Sequence, residues 1–256
     1  MGYLEMKRDA MIGATPWFLP QGISYDDCIA AYQFKGASSQ NASYTDLTGH
    51  GHTLSAPNGV EWDKNTGVKF GNNQFLTNSV PDGASLRVLT NIKSIVVYYY
   101  GHAELDPDLD GNPICFTQLK FSRTSTEGNP LLFGKLSFQR YFNGEWIYDT
   151  SKFPGIVTKW NTSNNSITYC RATTKLPKYG ILACDNSQLY FDGEMMTTSA
   201  KKNYGCESLL TTQFRLNDDG YEILRNRGNY IYAAAFYSKK LTATQHKKIS
   251  DELKKI

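Results

Sequence analysis

Apolar and polar residues along this chain fall into short segments rather than long periodic stretches. From Ile29 onward, runs rich in Val, Ile, Thr, Tyr and Phe are separated by clusters of Gly, Asn, Asp and Pro, a pattern typical of β-strands joined by turns. No helical segments alternate with these runs, which excludes parallel α/β folds. The predicted strands are 29–34, 68–70, 92–100, 114–121, 131–142, 146–148, 167–171, 180–184, 188–191, 207–214 and 230–237.

The strongest hairpin signal is the dipeptide Asn143-Gly144, between Phe142 and Trp146. Asn and Gly tolerate the positive φ angles that a tight two-residue turn requires, so this dipeptide predicts a hairpin. Asp192-Gly193 predicts a second turn in the same way.

One helix is predicted, at the C-terminal end of the sequence. Thr242 with Gln245 three residues later forms a capping-box pattern. Ile249, Leu253 and Ile256 then recur at helical spacing. We expect a short amphipathic helix that docks this apolar stripe on the edge of a sheet.

The first 27 residues differ from the rest and predict an N-terminal arm, with residues 28–256 forming a single domain. Trp17, Phe18 and Leu19 lie between two prolines. An apolar segment of this kind packs on its own domain or on a neighbouring chain, since large apolar patches tend to mark interfaces. These three residues are therefore candidate anchoring and assembly residues.

Composition and charge narrow the classes of function. The 256 residues are 13% aromatic and 20% charged, which excludes a disordered tail and a coiled coil. A net charge of +3 without a concentrated basic block argues against nucleic-acid binding. No apolar run is long enough to span a membrane, and the first residues do not predict a signal peptide. The five cysteines are scattered singly and predict reduced, buried thiols.

Several motifs occur in the order found in laminin G-like, concanavalin A-like jelly-roll domains. They are a first strand in 28–34, a D-x-[ST]-G-x-G loop in 46–51, a strand–turn–strand segment in 67–76 with the usual Gly shifted, a D-G hairpin in 189–194, and a closing strand with a helix start in 233–245. The chain thus resembles this family. The resemblance implies an all-β, two-sheet antiparallel jelly-roll sandwich, here with a short C-terminal helix.

The arm carries a second resemblance. Its W-F-L-x-x-G-I sequence, which leads into C-I-A-A-Y-Q, is similar to virion surface proteins of bacteriophages that infect gut bacteria. These proteins include head fibres, decoration proteins and tail-associated adhesins. The resemblance implies a virion-surface location, self-association into a homo-oligomer, and other virion proteins or host-surface glycans as partners. A location on a bacterial cell surface is the alternative.

Asp106, Asp108 and Asp110 precede Gly111 at the spacing of an EF-hand-type calcium loop. Thr117 occupies the position where such a loop has its bidentate Glu. The segment is therefore either a weak Ca²⁺ site or a polar hairpin loop. Calcium is the one cofactor that the sequence suggests.

Carbohydrate-binding candidates come from aromatic and histidine residues. The predicted hairpin carries Tyr141, Trp146 and Tyr148, and the apolar face of an aromatic ring matches the C–H face of a pyranose. The same rings can instead belong to the core. His50 and His52 lie in the glycine-flanked first loop, which is either a rim that faces a ligand or a solvated turn.

Catalysis is disfavoured by the pattern of carboxylates. The concanavalin A-like fold also hosts glycoside hydrolases, whose paired acids would follow an E-x-D-x-x-E pattern on one strand. That pattern is missing, and Glu145 and Asp149 are the nearest pair within a predicted strand. We therefore expect a non-enzymatic structural or binding module. A lectin-like adhesin and a glycoside hydrolase of a gut bacterium are the alternatives.

Overall fold

The computed structural model describes a large part of the chain. The described residues are 16–71, 74–78, 89–90, 92–100, 114–121, 131–135, 138–142, 145–149, 154–161, 166–173, 177, 179–185, 188–201, 210–216 and 229–256.

The described elements are eighteen strands and two helices. In chain order they are β1 (Cys28–Gln33), α1 (Gln40–Tyr44), β2 (Glu61–Asp63), β3 (Gly67–Phe70), β4 (Leu76–Thr77), β5 (Leu89–Thr90), β6 (Ser94–Tyr100), β7 (Ile114–Phe121), β8 (Leu131–Lys135), β9 (Phe138–Phe142), β10 (Glu145–Asp149), β11 (Pro154–Asn161), β12 (Ser166–Ala172), β13 (Tyr179–Asp185), β14 (Leu189–Phe191), β15 (Glu194–Met195), β16 (Thr198–Lys201), β17 (Leu210–Leu216), β18 (Asn229–Tyr237) and α2 (Ala243–Leu253).

Two eight-stranded antiparallel sheets form the body of the protein. The first sheet has the order β15-β14-β13-β6-β18-β3-β2, with β1 also paired to β18. The second has the order β16-β12-β11-β8-β7-β17-β4, with β5 also paired to β17. Strands β9 and β10 form a separate two-stranded ladder. This architecture confirms the predicted all-β antiparallel sandwich with a short C-terminal helix.

The central strands of the first sheet, β6, β13 and β18, are buried on both faces along most of their length, which explains why they are almost continuously apolar. On β6, Ile95, Val97 and Tyr99 belong to a core that also contains Leu76 of the second sheet. We call this the inner face. Val96 and Tyr98 point to the opposite, outer face.

The outer face is partly covered by residues 16–27, the described part of the arm, and by helix α2. Phe18 and Leu19 of the arm, and Ile249 and Leu253 of the helix, belong to one buried cluster with Tyr98. The helix begins as predicted, because Thr242 and Gln245 form both hydrogen bonds of the capping box. Its apolar stripe docks on the face of the sheet. No helix among the described residues is long and apolar enough to cross a membrane.

The observed elements differ from the predicted ones in more than one way. Six observed strands are not among the predicted strands, namely β2, β4, β5, β11, β15 and β16, and helix α1 was not predicted either. The predicted strand 131–142 is divided into β8 and β9, which pair with different partners. Strand β11 was not predicted, since it begins with Pro154-Gly155 and these residue types usually indicate a turn.

Candidate functional site

The first loop is organised by the Asp46 carboxylate. Its Oδ1 accepts hydrogen bonds from the backbone N–H of Ala31 at 3.2 Å and of Thr48 at 3.0 Å, and from the Thr48 hydroxyl at 2.7 Å. Its Oδ2 accepts one from the His52 N–H at 3.2 Å. Asp46 is only 3% exposed, so these bonds replace its hydration. The carboxylate therefore fixes the loop against strand β1.

The two candidate histidines lie on this fixed loop. The Nδ1 atom of His50 is 3.1 Å from the Ile29 carbonyl oxygen, and the His52 carbonyl accepts a hydrogen bond from the Tyr32 hydroxyl. Burial and the nearby Asp46 raise the pKa of Tyr32 well above its ordinary value, so this phenol stays protonated and keeps donating. The structure thus brings both imidazoles into one preformed loop. Their role in glycan binding stays a prediction.

The aromatic hairpin is a two-stranded ladder that pairs with neither sheet among the described strands. The register pairs Glu145 with Phe142 and Trp146 with Tyr141, which confirms the predicted two-residue connection at 143–144, itself outside the described residues. Residues opposite one another in an antiparallel ladder lie on the same face, as do residues two apart in one strand. Positions 141, 146 and 148 therefore share a face of this hairpin. Their binding role stays a prediction.

The backbone positions of Glu145 and Asp149 on strand β10 are widely separated. Glu145 and Asp149 occupy the two ends of this five-residue strand. At a rise of about 3.3 Å per residue, their Cα atoms are separated by about 13 Å. A retaining glycosidase needs carboxyl groups about 5–5.5 Å apart and an inverting one about 6.5–9.5 Å.

The predicted calcium ligands Asp106, Asp108 and Asp110 lie outside the described residues, and that site stays a prediction. Within the described part of the chain, no group of three or more His, Cys, Asp or Glu residues is arranged to hold a metal ion.

The arm residues pack within the chain. Phe18 is 1% exposed and Leu19 is 7% exposed, whereas Trp17 is half-buried. The arm is also held through its backbone. The Tyr237 hydroxyl donates a hydrogen bond to the Phe18 carbonyl at 3.1 Å, and the Gln245 side chain donates one to the Gln21 carbonyl at 3.0 Å. An additional role of these residues in assembly stays a prediction.

Sequence reasoning missed a cluster of five tyrosines on the outer face of the first sheet. We call it the tyrosine platform, and its members are Tyr98, Tyr100, Tyr179, Tyr230 and Tyr232. The only signal in the sequence is the alternation of Tyr at 98 and 100 and at 230 and 232, which places each pair on one face of a strand. The pairing of β6 with β13 and β18 brings the two pairs and Tyr179 together.

Comparisons with known proteins identify the fold of this chain through similar solved structures. No protein-family model and no curated protein sequence matches the chain. Similar solved structures include the binding domain of botulinum neurotoxin DC in complex with rat synaptotagmin II, with 11% identity and a TM-score of 0.55 over 90% of this chain. The same binding domain in complex with SialylT has 12% identity and a TM-score of 0.54 over 90% of the chain.

The binding domain of botulinum neurotoxin serotype G is similar in the same way, with 11% identity and a TM-score of 0.55 over 88% of this chain. The chain spans about half the length of these structures, covering 52%, 52% and 51% of them. At this identity the likeness concerns the fold. The chain therefore has the β-rich fold of part of these binding domains.

Proposed function

We propose that the chain is a non-enzymatic carbohydrate-binding module displayed on a virion surface. The observation that carries the proposal is the aromatic hairpin formed by β9 and β10. Its ladder places Trp146 directly opposite Tyr141 and pairs with neither sheet among the described strands.

The strand pairing of the hairpin supports binding over packing. A ring on a strand inside one of the two sheets has the sandwich core as its usual environment. The β9–β10 ladder pairs with neither sheet among the described strands, so strand pairing does not place its rings in the sandwich core. Two or three aromatic residues on one face of such a ladder suit the C–H face of a sugar ring.

The similar structures support a binding role for this fold. Two of them are binding domains in complex with rat synaptotagmin II and with SialylT. The spacing of Glu145 and Asp149 on strand β10 also supports binding without hydrolysis.

The virion setting rests on the sequence motifs of the arm and of the laminin G-like pattern. In this setting the partners are other virion proteins and host-surface glycans. The module would be anchored by self-association. Trp17 is the arm residue best suited to meet a partner, because Phe18 and Leu19 are already buried within the chain.

The test is a glycan array probed with the full chain and with the variants Trp146→Ala and Trp146→Phe. We expect the wild-type chain to bind a defined set of saccharides and Trp146→Ala to lose at least about tenfold in affinity, the value of one lost stacking contact. Trp146→Phe keeps an aromatic face and retains most of the binding.

Thermal unfolding of each variant controls for loss of the fold. The proposal is contradicted if the folded wild-type chain binds no saccharide on the array. It is also contradicted if the folded Trp146→Ala variant binds every one of these saccharides as tightly as the wild-type chain.

A further inference from the structure

The tyrosine platform lies where three strands of the first sheet meet. Register places Tyr100 opposite both Tyr179 and Tyr230. The platform occupies the end of the outer face that lies beside the arm and helix α2. Tyr98 and Tyr232 also pack against the buried cluster under these two segments.

The rings of the platform hold one another in fixed positions. Ring centroids are 5.3 Å apart for Tyr98 and Tyr179, 4.8 Å for Tyr98 and Tyr232, and 5.9 Å for Tyr179 and Tyr232. All three pairs meet at steep angles of 60° to 74°, the edge-to-face geometry that aromatic quadrupoles favour. A ligand bound here would lose little affinity to the ordering of side chains.

One ring of the platform is open to solvent. Tyr179 is 48% exposed, while Tyr98 beneath it is 1% exposed. Tyr100, Tyr230 and Tyr232 are half-buried. The platform therefore presents a rigid aromatic surface with one protruding ring.

Polar groups line the edge of this surface. Asp192 and Lys254 form an ion pair with an N–O distance of 2.9 Å. Asp192 is held in place because its Oδ1 accepts a hydrogen bond from the Ile181 N–H at 2.9 Å. Ile181 is two residues after Tyr179 on strand β13, so this bond places Asp192 and its partner Lys254 beside Tyr179. Burial and the Asp192 carboxylate raise the pKa of Tyr179, and the Lys254 ammonium opposes them.

A lysine lies on another side of the platform. The Nζ of Lys35 is 5.4 Å from the centroid of the Tyr232 ring, a cation–π distance. Backbone bonds fix its position, because the N–H groups of Phe34 and Lys35 both donate to the Tyr232 carbonyl, at 2.8 and 3.1 Å. Its ammonium adds further hydrogen-bond donors beside the rings.

We infer that the tyrosine platform is a second carbohydrate-binding site, in which a pyranose ring stacks on Tyr179 and its hydroxyls bond to Asp192, Lys254 and Lys35. The site is separate from the β9–β10 hairpin and does not depend on it. The stacked ring would place its apolar C–H face on the phenol, and the edge groups offer both a carboxylate acceptor and ammonium donors.

The size of the surface favours a sugar over a protein partner. A stable protein complex buries roughly 800 Å² on each partner. The platform exposes one ring by about half and three others partially, which matches one or two sugar units. Tyrosine hydroxyls and fixed charges at the edge also suit a polyol better than an apolar protein surface.

The test measures binding of cellohexaose, maltohexaose and chitohexaose to the full chain by saturation-transfer-difference NMR and calorimetry. The variants are Tyr179→Ala, Tyr179→Phe and Trp146→Ala. The matched control is Tyr25→Ala, because Tyr25 is an exposed tyrosine, 37% accessible, outside the platform.

We expect Tyr179→Ala to weaken binding of at least one of these oligosaccharides by about tenfold, the effect of losing one stacked ring. Tyr179→Phe keeps the ring and stays within about threefold of the wild type, since it loses no more than one hydroxyl contact. Tyr25→Ala binds like the wild type.

Three results would overturn the inference. The first is a wild-type chain that binds none of the three oligosaccharides. The second is binding that Trp146→Ala abolishes and Tyr179→Ala leaves unchanged, which leaves the proposed function intact and assigns all binding to the hairpin. The third is self-association that Tyr179→Ala abolishes without any effect on sugar binding, which assigns the surface to an interface between copies.

Discussion

Replacing Phe18 by Ala tests whether the arm is part of the domain that it covers. The Phe18 ring is 1% exposed and packs on the outer face of the first sheet. The Tyr237 hydroxyl bonds to the backbone carbonyl of Phe18, so this bond survives the substitution. The loss is therefore that of a buried aromatic side chain.

Truncation of a buried Phe to Ala costs about 3–5 kcal/mol of unfolding free energy. A domain has roughly 5–15 kcal/mol in total, so Phe18→Ala should still fold. The assay is urea unfolding followed by tryptophan fluorescence, repeated over a tenfold range of protein concentration. Gln21→Ala in the same arm is the control, with an expected loss under about 1 kcal/mol because this residue is exposed and its bond to Gln245 runs through the backbone carbonyl.

The packing of Phe18 on its own domain is refuted if Phe18→Ala loses less than about 1 kcal/mol of unfolding free energy, the size of a surface substitution. It is also refuted if the loss appears only at low protein concentration. In that case Phe18 would stabilise an assembly of copies rather than its own domain.

Two further predictions concern buried polar groups. Asp46→Ala leaves four hydrogen-bond donors without their acceptor and should cost about 3 kcal/mol by urea unfolding; an unchanged midpoint would show that Asp46 does not fix the loop. Burial, opposed by Asp185, lowers the pKa of His246 to about 4. As the pH falls, the unfolded chain therefore binds a proton at His246 at a higher pH than the folded chain does. The free energy of unfolding should fall by up to about 3 kcal/mol as pH drops from 6.5 to 4. His246→Phe should flatten that part of the pH profile, and an unaltered slope would exclude His246 as its cause.

The central strands of the first sheet were predictable because burial on both faces gives a strong local signal. Strand β6 reads SIVVYYY and strand β18 contains YIYAAAFY, runs that no turn residue interrupts. Helix α2 was predictable for a similar reason, since its capping box and apolar stripe lie within fifteen residues of sequence. Local patterns therefore determined the type of each of these elements.

The site features depend on pairing between distant strands, which local patterns do not reveal. Tyr179 reaches Tyr98 and Tyr232 only through the ladders that β6 makes with β13 and β18. The contacts of the arm were hidden for the same reason. The Trp17-Phe18-Leu19 segment requires an apolar surface to cover, and the sequence does not say whether that surface belongs to the same chain.

The role of Asp46 was also hidden. Its motif indicated a loop, but the bond from the Ala31 N–H, fifteen positions earlier in the chain, is a tertiary contact. Only the packing of the loop on strand β1 shows that the carboxylate serves the fold.

The most direct test of the central claim is to incubate the full chain with the oligosaccharides that it binds on the array, measuring binding by calorimetry and the sugars by mass spectrometry after prolonged incubation. The account predicts saturable, reversible binding and sugars of unchanged length. Shortened oligosaccharides that form with the wild-type chain and do not form with Glu145→Gln would contradict binding without hydrolysis and identify a hydrolase.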